Sequence, residues 1–166
     1  VYTLRMDVGC MARMTVKASD DYALKLSKLA AQTEEVAKKA IYAAANIVAD
    51  KVASNLAALP EDKFRRLKDG EQFTGLPKSQ KRDLQDSFGV TPIKQDDNGN
   101  WSAHIGFDGY GSKPTEKYPK GVPNQLLARA VESGSSVRQK TPFVRPAVNA
   151  TKKEAIDAME RVIEEE

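Results

Sequence analysis

The segment TEEVAKKAIYAAANIVADKVASNLAAL, residues 33–59, decides the fold of this chain of 166 residues. Its apolar side chains recur at steps of three and four residues, which is the spacing of one face of an α-helix. Pro60 follows directly, and a proline cannot continue a helix because it lacks the backbone N–H. The segment therefore predicts one long helix that ends before Pro60. Its apolar stripe consists of Val36, Ala40, Ala44, Ile47, Val48, Val52, Leu56 and Leu59.

Alanine is common throughout this predicted helix and gives it a second apolar face. That face consists of Ala37, Ile41, Ala45, Val48 and Ala49. Small side chains allow another element to approach the helix closely, but alanine is also simply a good helix former. Two interpretations follow: the second face packs within the chain's own core, or it meets a neighbouring subunit.

The residues before the long helix predict two smaller elements. Thr-Val-Lys at 15–17 favours a short strand. Ser19 is followed by two aspartates, and a serine N-cap with acids in the first turn is typical of a helix start. We therefore expect a first helix to begin at Ser19 and to bend near residues 32–33.

The first ten residues show no hydrophobic period, and Met11 opens a sequence that is typical of a protein start. We predict that residues 1–10 are a disordered or mis-started extension. Residues 11–166 are expected to form a single domain, because their number lies within the usual range for one domain.

Residues 90–107 predict a β-hairpin. Its turn reads Asp-Asp-Asn-Gly at 96–99, and Asn-Gly tolerates the positive φ angles that a tight hairpin turn requires. Alternate residues of the second strand are apolar and should point to one face of the sheet, where they can pack on the long helix. These residues are Trp101, Ala103, Ile105 and Phe107.

Between the long helix and the hairpin, residues 61–89 carry a weak hydrophobic period that glycines and prolines interrupt. This pattern predicts a surface excursion that contains one short helix over 78–88. Gly89 is expected to close that helix, because glycine is favoured just after a helix C-terminus.

Residues 108–123 predict a long loop, since glycines and prolines occur there without any hydrophobic period. Loops of this length in a compact domain are usually functional or disordered. Tyrosines and lysines suit a segment that orders on a neighbouring subunit or on DNA passing through a ring, and the alternative is a mobile extension with no partner. The candidate contact residues are Tyr110, Lys113, Lys117 and Tyr118.

A proline-bounded segment, PFVRP at 142–146, separates two predicted helices near the end of the chain. The first of these helices starts at Pro123 and ends at Gly134. The two prolines fix the backbone on either side of a phenylalanine and an arginine, which is typical of a docking element. Phe143 is expected either to anchor the chain's own core or to contact a neighbour.

Together these elements predict an α+β fold in which a long N-terminal helix and a C-terminal helix pack on a small antiparallel β-sheet. Residues 15–17 and 143–144 are candidates for further strands. Pro146 is expected to open the last helix, which ends in three glutamates at 164–166. Acids at a helix C-terminus repel its partial negative charge, so this end is unfavourable for the helix dipole.

Composition and charge argue against several classes of protein. The net charge is +3, but the lysines and arginines are interleaved with acids and form no long basic stripe. The most basic cluster, KFRRLK at 63–68, is flanked by Glu61, Asp62 and Asp69. The single cysteine, Cys10, excludes an intramolecular disulfide.

No catalytic, cofactor or metal site is predicted. His104 is the only histidine and falls on the strand face opposite Trp101, with no carboxylate or nucleophile at a useful spacing. Paired carboxylates and phosphate-binding glycine motifs are also missing from the sequence. We therefore expect a protein that is not an enzyme, needs no cofactor and has no membrane partner.

Three short motifs near the C-terminus carry a resemblance to a known family. They are GVPNQ at 121–125, ARAVESG at 128–134 and PFVRPA at 142–147, and one charged helix follows them. In this order, and together with the long N-terminal helix, they make the chain from Met11 onward resemble the tail-completion or head–tail joining (neck) proteins of long-tailed phages, of the HK type. By this resemblance, the motif residues that match are candidate interface residues. These are Glu132, Gly134, Pro142, Phe143, Arg145 and Pro146.

The resemblance implies a virion structural protein that completes the tail and joins it to the head connector as a subunit of a ring. The implied partners are further copies of the chain, the connector and the tail-tube or terminator proteins, with DNA at most a passing contact. The implied locations are the virion and, during assembly, the host bacterial cytoplasm. The alternative function is that of a small DNA-binding accessory protein, which the mild basic charge favours.

Overall fold

The computed structural model describes residues 12–14, 33–63 and 65–165 of the chain. Within this part, the helices are α1 (Thr33–Ala57), α2 (Lys78–Ser87), α3 (Asn124–Ser133) and α4 (Val144–Glu165). The strands are β1 (Ala12–Met14), β2 (Glu61–Asp62), β3 (Leu76–Pro77), β4 (Phe88–Val90), β5 (Lys94–Gln95) and β6 (Trp101–Phe107).

The main sheet is antiparallel and is built around β6. Strand β1 pairs with residues 103–105 of β6, and β5 pairs with residues 101–102. Strand β4 is the other neighbour of β6. Strands β2 and β3 form a separate parallel pair of two residues each.

These elements confirm the predicted α+β fold, with a long helix and a C-terminal helix beside a small antiparallel sheet. The chain divides into two compact units that alternate along the sequence. Of the described residues, the first unit contains 12–14, 33–49, 90–105 and 151–165, and the second contains 50–63, 65–89 and 106–150. That residues 11–166 form a single domain stays a prediction.

Helix α1 confirms the apolar stripe that its sequence indicates. In the first unit Val36, Ala40 and Ala44 are each at most 3% exposed. The second face is buried as well except at Ala37, which is half-buried. That face therefore belongs mainly to the chain's own core.

The helix ends where the sequence predicts it to end. Its last helical residue is Ala57, and the backbone N–H of Leu59 donates to the carbonyl of Leu56 in a final tight turn before Pro60. Because Pro60 has no N–H, the regular ladder cannot be extended past this turn.

The hairpin of the first unit is confirmed at its turn. The Asp96 carboxylate accepts hydrogen bonds from the backbone N–H groups of Asn98 and Asn100, at 3.0 and 2.8 Å. Gly99 has a φ of +79°, which a residue with a side chain rarely adopts. The Asn-Gly pair therefore closes the connection between β5 and β6 for the reason that the sequence suggests.

Helix α1 meets this hairpin through two polar contacts at the edge of an apolar interface. The Lys38 ammonium lies 5.0 Å from the centroid of the Trp101 ring, a distance typical of a cation–π contact. The Tyr42 hydroxyl accepts a hydrogen bond from the Ile93 N–H at 3.3 Å. Ala103, on the predicted face of β6, is buried.

The core of the second unit is built around aromatic rings and leucines. The Phe107 ring centroid lies 5.1 Å from that of Phe88 and 6.0 Å from that of Phe143. Both separations fall in the range where tilted aromatic pairs are attractive. The other buried apolar residues of this unit include Val52, Leu56, Phe73, Leu76, Leu84, Leu127 and Val131.

Two local predictions are wrong. Gly89 does not cap α2, because the helix ends at Ser87 and Phe88 is already extended, with φ −77° and ψ 134°, as the chain enters β4. Residues 143–144 form no strand, because Val144 is the first residue of α4. Pro146 therefore lies in the first turn of that helix, where a proline needs no hydrogen-bond partner for its nitrogen.

Several predictions concern residues that the structure does not describe. The extension at 1–10, the strand at 15–17 and the helix from Ser19 lie outside the described residues, and the strand described nearby is β1. Among the described helices, none combines the length and the apolar character that a membrane span requires.

Candidate functional site

The loop at 108–123 is closed at its base by backbone hydrogen bonds. The Gly111 N–H donates to the Val122 carbonyl at 2.8 Å, and the Asn124 N–H donates to the Gly109 carbonyl at 3.1 Å. The buried Asn124 side chain adds a hydrogen bond to the carbonyl of Asp108 at 2.8 Å. These contacts hold the two ends of the loop together at the start of α3.

Glycine is required at one position of this base. Gly121 has a φ of +98°, and a Cβ atom built there would lie 1.9 Å from the carbonyl oxygen of Gly111. No real side chain fits at that distance, so the two backbone segments approach each other only because Gly121 has none.

The rest of the loop is also anchored. The Ser112 N–H and hydroxyl both donate to the Asp83 carboxylate of α2, at 2.9 and 3.0 Å. At the tip, Thr115 and Tyr118 exchange backbone hydrogen bonds of 3.0 Å. The loop lacks helix and strand, as predicted, and its path is held by hydrogen bonds within the loop and to Asp83.

The candidate contact residues of this loop are presented to solvent. Tyr110 is 60% exposed, more than the large hydrophobic side chains Val137 and Tyr42, which are also exposed. Lys113 and Lys117 are exposed, and Tyr118 is half-buried beneath the Lys117 ammonium, 5.6 Å from its ring centroid. The loop therefore offers aromatic and cationic groups on a defined backbone.

The segment at 142–146 is held by a single carboxylate. Glu132, near the end of α3, accepts hydrogen bonds from the backbone N–H groups of Phe143, Val144 and Arg145, at 2.7, 2.9 and 3.0 Å. These are the donors that the start of a helix leaves without an intrahelical partner. A negative charge there also complements the positive end of the helix dipole, so Glu132 caps α4 from another helix.

The structure decides whether Phe143 packs in the core of its own chain or contacts a neighbour. Its side chain is 1% exposed and is among the largest fully buried side chains in the described part of the chain. Its carbonyl accepts a hydrogen bond from the Asn55 side chain of α1 at 3.0 Å. Phe143 therefore anchors the core of its own unit, and its ring is not offered to a neighbouring subunit.

The backbone at position 134 also favours glycine for a local reason. It follows α3 with a φ of +80°, and a Cβ atom there would lie 3.2 Å from the backbone nitrogen of Lys140. The exposed members of the C-terminal motif are Pro142, Arg145 and Pro146. Their role as interface residues, like that of the loop residues, stays a prediction.

Sequence reasoning missed Arg138, which is only 6% exposed. Its guanidinium donates to the carbonyl of Gly75 and to the side-chain oxygen of Gln80, both at 2.7 Å. Burial lowers the pKa of this guanidinium below its usual value, and the charge of Asp62 acts in the opposite direction. Arg138 stands in a polar stretch, so no local pattern indicated that it is buried.

A groove of about 880 Å³ lies beside this region in the second unit. Four cationic side chains and two acids line it, together with small and polar residues. The lining residues are Glu61, Asp62, Lys63, Arg65, Thr74, Pro77, Lys78, Ser79 and Lys113.

The acids of this groove already have partners. Asp62 lies 3.0 Å from Arg65 and Glu61 lies 3.4 Å from Lys81. Burial raises the pKa of Asp62, but hydrogen bonds from the backbone N–H groups of Thr74 and Lys63 and from Arg65 outweigh it, so the pKa is lowered overall. The carboxylate of Asp62 is therefore held in its charged form.

Arg65 is shared between two acids. Its guanidinium also donates to Glu71 at 2.7 Å. The pKa of the Glu71 carboxyl is lowered mainly by a hydrogen bond from the backbone N–H of Lys68 and next by the hydrogen bond from Arg65. The guanidinium of Arg65 further lies 5.5 Å from the ring centroid of Phe73. The basic cluster at 63–68 is thus partly neutralised by the acids around it.

Comparison with protein-family models gives a match. A family model described as "Bacteriophage HK97-gp10, putative tail-component" matches residues 20–107, which is more than half of the chain. No curated protein and no solved structure matches the chain. The matched residues end before the loop at 108–123, so the candidate interface residues lie outside the match.

Proposed function

Because this chain belongs to the HK97-gp10-like family of bacteriophage tail components, we propose that it completes the phage tail and joins it to the head connector as a subunit of a ring. The family match over residues 20–107 is the observation that carries the proposal. A tail component is associated with the virion. Head joining and ring formation are the finer steps that require a test.

Two features of the fold support assembly with further subunits. Within the described part of the chain, the central strand β6 has only short strands beside it, which leaves backbone groups of the main sheet that can pair with another chain. The loop at 108–123 adds exposed tyrosine and lysine on a fixed backbone, and tyrosine is enriched in protein interfaces. A contact of this kind, repeated around an axis, closes into a ring when the rotation permits.

The proposed partners are further copies of the chain, the head connector and the tail-tube or terminator proteins. The proposed locations are the virion and the host bacterial cytoplasm during assembly. DNA that passes through the ring is at most a transient contact, and we propose no enzymatic activity and no membrane partner.

A dedicated DNA-binding function finds no support in the charges of the described residues. Duplex binding usually needs several clustered cations that can reach phosphates. Arg65, in the middle of the most basic cluster, is paired with Asp62 and Glu71. The cluster therefore presents less positive charge than its sequence suggests.

The direct test is deletion of the gene in the parent phage or induced prophage, followed by electron microscopy of the lysate. We expect filled heads and separate tails, because each can assemble while their junction cannot. A trans copy of the gene should restore joined particles and plaque formation, whereas a trans copy with a stop codon at Glu61 should not. Normal infectious particles from the deletion strain would overturn the proposal.

A further inference from the structure

The groove in the second unit carries positive charge that its own acids do not neutralise. Glu61 and Asp62 are engaged by Lys81 and Arg65, as described above. The side chains of Lys63 and Lys78 form no ion pair with any residue that the structure describes. Two exposed ammonium groups therefore face an open groove of about 880 Å³ without a counter-charge.

The C-terminal end of α4 carries unpaired negative charge. Glu164 and Glu165 are exposed, and no lysine, arginine or histidine lies in the last turn of the helix. Among the described residues, neither glutamate has an ion-pair partner. Since the carboxyl end of a helix carries partial negative charge, acids there oppose the dipole and weaken the last turn.

Because Glu164 and Glu165 weaken the end of α4, we infer that these acids serve a contact with another surface. Local sequence choices that conflict with the fold occur mainly at functional positions. The surplus charge of the groove and that of the helix end have opposite signs. Complementary charges on two surfaces steer association and fix the register of the contact.

From these observations we propose that the acidic end of α4 in one copy of the chain docks in the basic groove of the next copy. Glu164 and Glu165 would pair with Lys63 and Lys78. The inference rests on the proposed ring and deepens it, because it names the surfaces that meet. The two surfaces differ, so the contact is heterologous, and heterologous contacts generate rings when they close.

Charge reversal tests the contact without weakening either helix. Lys78→Glu places an acid in the first turn of α2, and Glu164→Lys with Glu165→Lys places bases in the last turn of α4, and both changes favour the helix dipole. The α4 variant is therefore expected to be at least as heat-stable as wild type. The groove variant, Lys63→Glu with Lys78→Glu, also places a third acid after Glu61 and Asp62, so its melting temperature is measured beside that of wild type. A loss of assembly in a variant that keeps its melting temperature could then not be ascribed to unfolding.

The assay is complementation of the deletion strain, scored by plaque titre and by joined particles. Each reversed variant alone should lower the titre by about 10- to 100-fold, because like charges meet at every contact. A chain with all four reversals should return to within about threefold of wild type, because the pairs are complementary again. As a matched control, Lys152→Glu with Lys153→Glu makes the same charge change on the exposed side of α4 and should leave the titre unchanged.

Co-expression of the groove variant with the α4 variant shows whether the contact joins two copies. In a ring in which the two variants alternate, the acidic groove of the groove variant receives the basic helix end of the α4 variant. The basic groove of the α4 variant, which is unchanged, receives the acidic helix end of the groove variant, which is also unchanged. Recovery of the titre from two variants that are each impaired alone therefore supports a contact between copies. Recovery by the four-fold variant but not by the mixture would place the contact within one chain and overturn the proposal.

The remaining outcomes separate this inference from the proposed function. If the deletion has no effect on the titre, the joining function itself is wrong and the inference falls with it. If the deletion abolishes joining but the reversed variants complement fully, joining stands and the groove contact is wrong. If the reversed variants fail and the four-fold variant does not recover, the groove receives another partner, such as a nucleic acid, and the proposed pairing is overturned.

Discussion

The loop at 108–123 and the segment at 142–146 belong to the same compact unit but hold their shapes by different means. The loop is fixed by backbone hydrogen bonds at its base, which leave Tyr110 and Lys117 exposed. The segment is fixed by its side chains and their neighbours, because Phe143 is buried and Glu132 binds its backbone. In the loop, the exposed side chains can therefore be replaced at little cost to the fold, although Gly121 cannot, whereas in the segment the central side chain is itself part of the core.

The largest effect is expected from Phe143→Ala, which breaks the second region. Removing a fully buried phenylalanine leaves a cavity and should lower the free energy of unfolding by about 3–5 kcal/mol. Urea denaturation of the isolated protein measures this change. Val137→Ala is the control, because Val137 is 53% exposed and its truncation should cost less than about 0.5 kcal/mol. Equal stability of the two variants would contradict the core assignment of Phe143.

Gly121→Ala should break the first region at its base. The new methyl group meets the Gly111 carbonyl in addition to the strain of a positive φ, so we expect a loss of about 3 kcal/mol. Gly109→Ala isolates the strain, since Gly109 has a φ of +66° but open space around it, and should cost about 1 kcal/mol. Thermal denaturation of both variants tests the difference. If Gly109→Ala lowers the stability as much as Gly121→Ala, the close approach to the Gly111 carbonyl is not the reason why position 121 requires glycine.

Glu132→Ala should remove the cap of α4 at the segment 142–146 without creating a cavity in the core. Loss of a carboxylate that accepts three N–H groups at the start of α4 is expected to cost about 1–2 kcal/mol. Hydrogen exchange provides the local readout, because the amides of Val144 and Arg145 should exchange faster. Glu154→Ala, an exposed position on the same helix, should change neither quantity. Unaltered exchange in Glu132→Ala would show that the cap is not formed in solution.

The smallest effect on stability is expected from Tyr110→Ala, which sharpens the comparison. Tyr110 is exposed on a loop whose backbone is bonded independently of it, so the free energy of unfolding should change by less than about 0.5 kcal/mol. If the loop contacts another subunit, head–tail joining should fall although stability does not. A variant that is destabilised as strongly as Glu132→Ala would place Tyr110 among the structural residues instead.

The sequence predicted the elements whose signals are local. The period of α1, the Asn-Gly turn before β6 and the glycine after α3 each act within a few residues, and each is found where it was expected. The fold class followed from these elements, because a long amphipathic helix and an alternating strand leave few ways to bury both apolar faces.

The missed features depend on contacts between residues that are distant in sequence. Glu132 caps a helix that begins 12 residues after it, and the buried Arg138 donates hydrogen bonds to residues 63 and 58 positions away. Neither partner can be inferred from hydrophobic period or turn chemistry. The wrong strand at 143–144 has the same origin, since the cap provided by Glu132 allows α4 to begin before Pro146.

The contact between Lys38 and Trp101 gives the protein a built-in optical probe. Trp101 is the only tryptophan of the chain, so its fluorescence reports on the first compact unit alone. Its half-buried ring beside an ammonium group should shift its emission when α1 leaves the sheet. Circular dichroism in the far ultraviolet reports instead on all helices together. Coincident melting curves from the two signals would show that both units unfold in one cooperative step, and separated curves would show that each unit has its own stability.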